Sequence, residues 1–143
     1  LNADEWRVMH EHPERGVELL ADVDFPWDIR PMVLHHHEHW NGGGYPHGLA
    51  GEAIPVAARV LCVADVFDAL TTTRSYRTAF SHRAALEIMQ GDAGHIFDPR
   101  LFELFERLLR GDRGAGAYVP AFRRRGVMPG RLPAGLREPP MPV

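Results

Sequence analysis

An all-α fold is the expectation for this chain, and three observations lead to it. Apolar residues recur at helical spacing through most of residues 1–110. The alternation of a half-buried strand is nowhere sustained, and no internal repeat is found. Pro and Gly punctuate the periodic segments at intervals that suit short helices.

The elements follow in order. "NADE", Asn2–Glu5, has the form of a capping box, with Asn2 as N-cap and Glu5 three positions on. Trp6 and Met9 then share a helix face. Pro13 is expected to interrupt and to begin a new helix, "PERGVELLADV", with His12 projecting at the break. "PWDIRPMVLHHHEHW" offers the next helix, starting nearer Asp28–Pro31 than Pro26 because of Pro31. "NGGGYPHGLAGE" is a loop, since four glycines and a proline fall within eight residues. "IPVAARVLCVADVFDALTTT" begins at Pro55 and is apolar nearly all round, which predicts a central, buried helix. Ser81 is a natural N-cap and Gly91 a stop for "SHRAALEIMQG". Asp98 as N-cap, Pro99 as first residue and Gly111 just past the end frame the last helix. Residues 1–110 thus read as one domain, and 111–143, rich in Gly, Pro and Arg, as a disordered tail. The "RRR" run at 123–125 reads as solvated charge rather than an anion-binding patch.

Composition narrows the function classes. The 143 residues carry a formal charge of -3, with 45% hydrophobic and 24% charged residues, so no DNA-binding surface is implied. All 16 cationic side chains are arginine; phosphate recognition can therefore be argued only at individual positions. Cys62 is the single cysteine, which suits a reducing, cytoplasmic setting. No apolar run is long enough for a membrane span, and "LNADEW" is not a signal peptide. With no initiator methionine, the chain is expected to begin within a longer protein or to have been trimmed.

The candidate chemistry lies in the histidines and one aspartate. "HHHEHWNGGGYP", residues 35–46, holds four histidines among twelve residues. On a helix His36 and His37 would differ by about 100° in direction, so they are expected to reach different ions of a cluster. A run of this kind also suits a polar helix end. Asp65 lies in the middle of the most apolar segment, so it is expected to be buried and must then be paired, hydrogen-bonded or metal-bound. An ion pair with Arg59, Arg74 or Arg77 accounts for it as well as a metal does. Imidazole with carboxylate and no thiolate favours Fe, Mn or Zn. Arg74 and Arg77, three apart, would suit a phosphate ester held beside such ions.

"HHHEHWNGGGYPHGL", "IPVAARVLCVADVFDALTTTRSYR" and "GHIFDP", with "MHEHPERG" upstream, together resemble the HD-GYP domain, a bacterial subgroup of the HD metal-dependent phosphohydrolases. The resemblance covers about residues 1–108. It implies a helical HD-type bundle, here partial, and hydrolysis of cyclic di-GMP to pGpG or GMP with two or three divalent ions, Fe or Mn. By resemblance His12, His36, His37 and Asp65 are metal ligands, and Arg74 and Arg77 lie near the substrate phosphates. Gly44, Tyr45 and Pro46 form the GYP loop, linked in the family to substrate access and to contacts with diguanylate cyclase domains. An N-terminal receiver or sensor domain, as in a response regulator, is implied in the same way.

Two departures qualify the resemblance. No His-Asp dipeptide occurs in the sequence, whereas the family's name-giving pair and the lysine after it would fall upstream of Leu1; the expectation is a fragment of a complete protein, the alternative a natural truncation without activity. The chain in isolation is accordingly expected to bind metal weakly and turn over little. Asn41 stands where the family has aspartate. His35 and His39 are expected to face solvent, and His47 and His95 are given no role. The competing readings are an interaction module with an incomplete cluster, acting through the GYP loop, and an HD phosphohydrolase acting on another nucleotide.

Overall fold

Pro13 does not break the first helix. In the computed structural model, which describes residues 3–73 and 78–111, α1 runs unbroken over Ala3–Leu19 with Pro13 inside it. The expectation of two helices fails for a local reason. A proline inside a helix leaves the carbonyl four residues earlier without its N–H partner. Here that carbonyl belongs to Met9, and the ring Nδ1 of His12 takes the vacant place at 2.5 Å. The Pro13 ring itself is fully buried. The capping box at Asn2 lies outside the described residues.

α2 (Arg30–His35) carries Pro31 in its first turn, as its sequence requires. It packs against α1 at a close approach. A Cβ on Gly16 would lie 3.0 Å from Val33 Cγ1, so glycine is what lets the two helices meet there. The helix ends at His35. His36 and His37 therefore lie at and beyond its C-terminus, and α-helical geometry does not dictate their directions.

α3 (Val56–Thr71) follows Pro55 and a single 3-10 turn, Gly51–Ala53. It is only half enclosed. Ala58, Cys62, Val63, Ala69 and Leu70 are buried, but Val56 and Val60 are 58% and 51% exposed. Asp65 and Asp68 are exposed too, which corrects the expectation of a carboxylate buried in an all-round apolar helix. The described residues place α2, α4 and α5 against α3. Its remaining face points outward, because apolar composition alone does not supply a neighbour.

α4 (His82–Gln90) and α5 (Pro99–Leu109) close the core. Ser81 caps α4 by accepting from Ala84 N, and Asp98 caps α5 by accepting from Arg100 N and Leu101 N. Gly111 follows α5 in the left-handed conformation, φ 76°. The core joins α3, α4 and α5 through Cys62, Val63, Leu70, Ala85, Leu86, Met89, Phe97 and Phe102. Phe97 and Phe102 stack at 5.6 Å, and Phe67 meets Phe105 edge-on at 5.1 Å. Among the described residues there are five α-helices and only isolated bridge pairs, so the fold is all-α. None of these helices is long and apolar enough to cross a membrane. The tail expected at 111–143 lies, from residue 112 onward, outside the described residues.

Candidate metal centre

The ring nitrogens of His12, His36 and His37 converge on one point. His12 Nε2 lies 3.4 Å from His36 Nε2 and 3.1 Å from His37 Nε2. The ring nitrogens of the adjacent pair thus come together with that of His12, with His37 reaching the place from beyond the helix end. Two of the three rings are held from behind by backbone. His12 Nδ1 donates to Met9 O, and His36 Nδ1 donates to Val33 O at 2.6 Å. A carbonyl can only accept, so in the neutral ring the hydrogen sits on Nδ1 and the Nε2 lone pair faces inward. Lone pairs directed at one another repel, and a divalent cation between them removes the repulsion. The donor set therefore fits a metal of the kind that takes neutral imidazole.

Electrostatics agree with that fit. Burial pushes the His37 pKa down to about 3, helped by His36, His12, His39 and His10. Burial also lowers His36, with His12 adding to the effect, while the Val33 carbonyl and the Asp65 carboxylate oppose it. His39 is lowered by its burial, against the pull of Glu38 and Asp92. His36 and His37 are thus neutral at physiological pH and have no proton to lose before binding a metal. A consequence for stability follows. These groups have folded-state values below the unfolded value of 6.5, so the unfolded chain binds more protons as pH falls through that range. The contribution of these groups to stability is then complete above 6.5 and declines on acidification toward about 3. Urea denaturation of the metal-free protein should show a lower midpoint near pH ~5 than at neutrality; equal midpoints would contradict the assignment.

Aromatic stacking holds the third ring, that of His37. Tyr45 lies between His37, at 4.9 Å and 12°, and His10, at 4.1 Å and 19°. Trp6 meets the far side of His10 edge-on at 5.9 Å. The tyrosine of the GYP loop is thus part of a stack that fixes the His37 ring plane. His10 is a residue that sequence reasoning passed over; its helical spacing from Trp6 was the available signal. Replacing His10 by alanine is expected to loosen the stack by about 1 kcal/mol and to weaken metal binding about 5-fold. Phenylalanine at position 10 should restore it. Metal titration of both variants distinguishes a stacking role from a role of the imidazole nitrogen.

The loop is tied to the histidine turn by backbone contacts. A Cβ on Gly44 would lie 2.7 Å from the Glu38 carbonyl carbon, with His37 O and His39 N closer still, so only glycine fits. Tyr45 N donates to His37 O at 3.1 Å, and the Tyr45–Pro46 peptide is cis. Glu38 is 2% exposed, and its two oxygens accept from His47 N at 2.8 Å and Leu49 N at 2.9 Å. Its clamping role was another omission of sequence reasoning. A glutamate amid histidines reads as a polar helix end until the fold buries it. Asn41 Oδ1 accepts from Gly43 N at 2.9 Å, a turn that aspartate makes equally well. Asn41→Asp is accordingly expected to change stability by less than about 0.5 kcal/mol, checked by thermal denaturation.

The "FDP" segment anchors this turn to the core. Trp40 N donates to Ile96 O and Asn41 N to His95 O. Arg59 on α3 pairs with the buried Asp98 at 2.7 Å and lies 5.7 Å above the Trp40 ring. Arg59 thus serves Asp98 and not Asp65. Asp65 stands apart from the three converging nitrogens, although its charge reaches His36. Arg74 and Arg77 lie outside the described residues. His35 and His39, expected at the surface, are both partly buried.

Comparisons with known proteins agree with this chemistry. A family model described as HD domain matches residues 1–101. The chain is 43% identical over 133 residues to the cyclic di-GMP phosphodiesterase response regulator RpfG of Xanthomonas campestris, covering 89% of this chain and 34% of that protein. It is 43% identical over 112 residues to a cyclic di-GMP phosphodiesterase of Vibrio cholerae, covering 73% of this chain and 23% of the relative. Among solved structures it resembles the cyclic GMP-AMP specific phosphodiesterase V-cGAP3 of V. cholerae, with a TM-score of 0.63 and 30% identity. That match covers 75% of this chain and 24% of the other. The chain therefore spans about a third or less of the length of these relatives.

Proposed function

Because this chain belongs to the HD-domain family, we propose that it carries the metal centre of an HD-GYP-type phosphodiesterase that hydrolyses cyclic di-GMP in bacterial signalling. The observation that carries this reading is the convergence of the His12, His36 and His37 Nε2 atoms. These three residues hold a divalent ion, and Asp65 of α3, whose charge reaches His36, supplies a carboxylate to the wider centre. The full centre takes two or three ions, Fe or Mn, in keeping with nitrogen and oxygen donors. When bound, such ions act as Lewis acids toward phosphoryl oxygens and make water nucleophilic near neutral pH.

The chain's own residues do the positioning. Met9 O and Val33 O aim the rings of His12 and His36. Tyr45 fixes the plane of His37. Arg74 and Arg77, on the segment after α3, hold the phosphates of the substrate with paired guanidinium N–H groups. The first cleavage opens the ring to pGpG, and a second yields GMP. The loop of Gly44, Tyr45 and Pro46 forms the wall of the site and is the surface offered to diguanylate cyclase domains. In the whole protein a receiver or sensor domain precedes the site, and the reaction takes place in the cytoplasm.

A second substrate merits a direct comparison, since the structural relative is named for cyclic GMP-AMP. The test uses the whole protein that contains this chain, loaded with Mn or Fe and given cyclic di-GMP and 3′,3′-cyclic GMP-AMP in parallel. Chromatography follows the linear products. Metal-dependent loss of cyclic di-GMP, stopped by a chelator, is the expected result. Preference for the mixed dinucleotide would correct the substrate. Full metal content with neither substrate cleaved would sink the enzyme reading in favour of an interaction module.

A further inference from the structure

A second set of ligand atoms lies beside the first, on residues that the proposed reaction leaves unused. His35, Glu38 and His47 each place one ligand atom within 4.8 Å of the others. They come from the last residue of α2, the turn after it and the loop beyond Pro46. His35 Nδ1 is buried and has no hydrogen-bond partner. It faces Glu38 Oε1 at 3.6 Å, which is too long for a hydrogen bond. Two donors bound to one tetrahedral ion at about 2.0–2.2 Å stand roughly 3.4 Å apart, close to the separation found. The His47 ring lies 5.2 Å from the His35 ring and is tilted 52° to it.

We propose that His35, Glu38 and His47 form a second, separate site for a divalent metal ion of the zinc class. The carboxylate can serve there while keeping its present bonds. Each Glu38 oxygen accepts one backbone N–H, from His47 or Leu49, and retains a further lone pair. The partly buried His35 and the buried Glu38 are the fixed half of the site, and the exposed His47 closes it from the surface. Two imidazoles and a carboxylate suit zinc, with a fourth position open to water. An ion there would bridge the end of α2 to the far side of the GYP loop. The metal would thus stiffen the loop that also carries Tyr45, independently of the catalytic chemistry.

The test uses zinc alone as the ligand. Bound zinc is counted by elemental analysis after equilibrium dialysis, in wild type, in His47→Gln and in the double variant His12→Ala/His37→Ala. His47 is exposed, so its replacement leaves the core intact, which circular dichroism confirms. Wild type is expected to hold one more zinc than His47→Gln. The double variant is expected to keep one zinc, and to lose it when His47→Gln is added. Equal zinc content in wild type and His47→Gln would overturn the proposal. So would loss of all zinc on His47→Gln alone, since the two sites would then be one.

Discussion

In the whole protein that contains this chain, replacing His12 by alanine is expected to remove divalent metal from the proposed three-histidine centre and to reduce the proposed phosphodiester hydrolysis by more than about 100-fold, the upper range for losing a mere supporting contact. His12 is the hub: its Nε2 is 3.4 Å from that of His36 and 3.1 Å from that of His37. Without it the remaining pair lies on one turn with no donor opposite. The variant should still fold. The ring is only partly buried, and although α1 loses the bond to Met9 O beside Pro13, it retains Pro13 in the interior and Gly16 against Val33. The measurements are metal content after dialysis, turnover, and a denaturation midpoint to confirm folding. A folded variant with normal metal and turnover would remove His12 from the centre.

Replacing Glu38 by alanine is expected to cost about 3 kcal/mol or more, from two lost hydrogen bonds to a charged acceptor. The carboxylate is buried, and the amides of His47 and Leu49 both point at it. Alanine leaves two donors without acceptors in a place water reaches poorly. Glutamine keeps one acceptor but turns an N–H group toward the other amide, so it should recover only part of the loss. Urea denaturation gives the energy. Hydrogen exchange at the His47 and Leu49 amides identifies its source, since both should lose protection in the alanine variant. A loss under about 0.5 kcal/mol, the range of an ordinary surface change, would show that the loop does not depend on Glu38.

The readable parts of the sequence were those set by near neighbours. Ser81 and Asp98 cap helices through bonds that span two or three residues. Pro55, Pro99 and Gly111 mark ends by their own backbone limits. The glycine-rich loop was legible for the same reason. Pro13 misled because its penalty was met by a side chain, His12, whose bond to Met9 O no propensity includes. α3 misled because hydropathy reports what a helix can bury. What does bury it depends on which neighbours pack against it, and Val60 and Asp65 lie on the open side.

By itself, then, the sequence determined the helical class, most helix ends and the residue types able to bind a metal. The tertiary structure decided which atoms meet. The meeting of three Nε2 atoms depends on α2 stopping at His35 and on α1 passing close by at Gly16. The plane of His37 depends on Tyr45, held eight residues away by a loop that Glu38 clamps from within. Such distances are set by packing between elements, and sequence spacing carries no record of them.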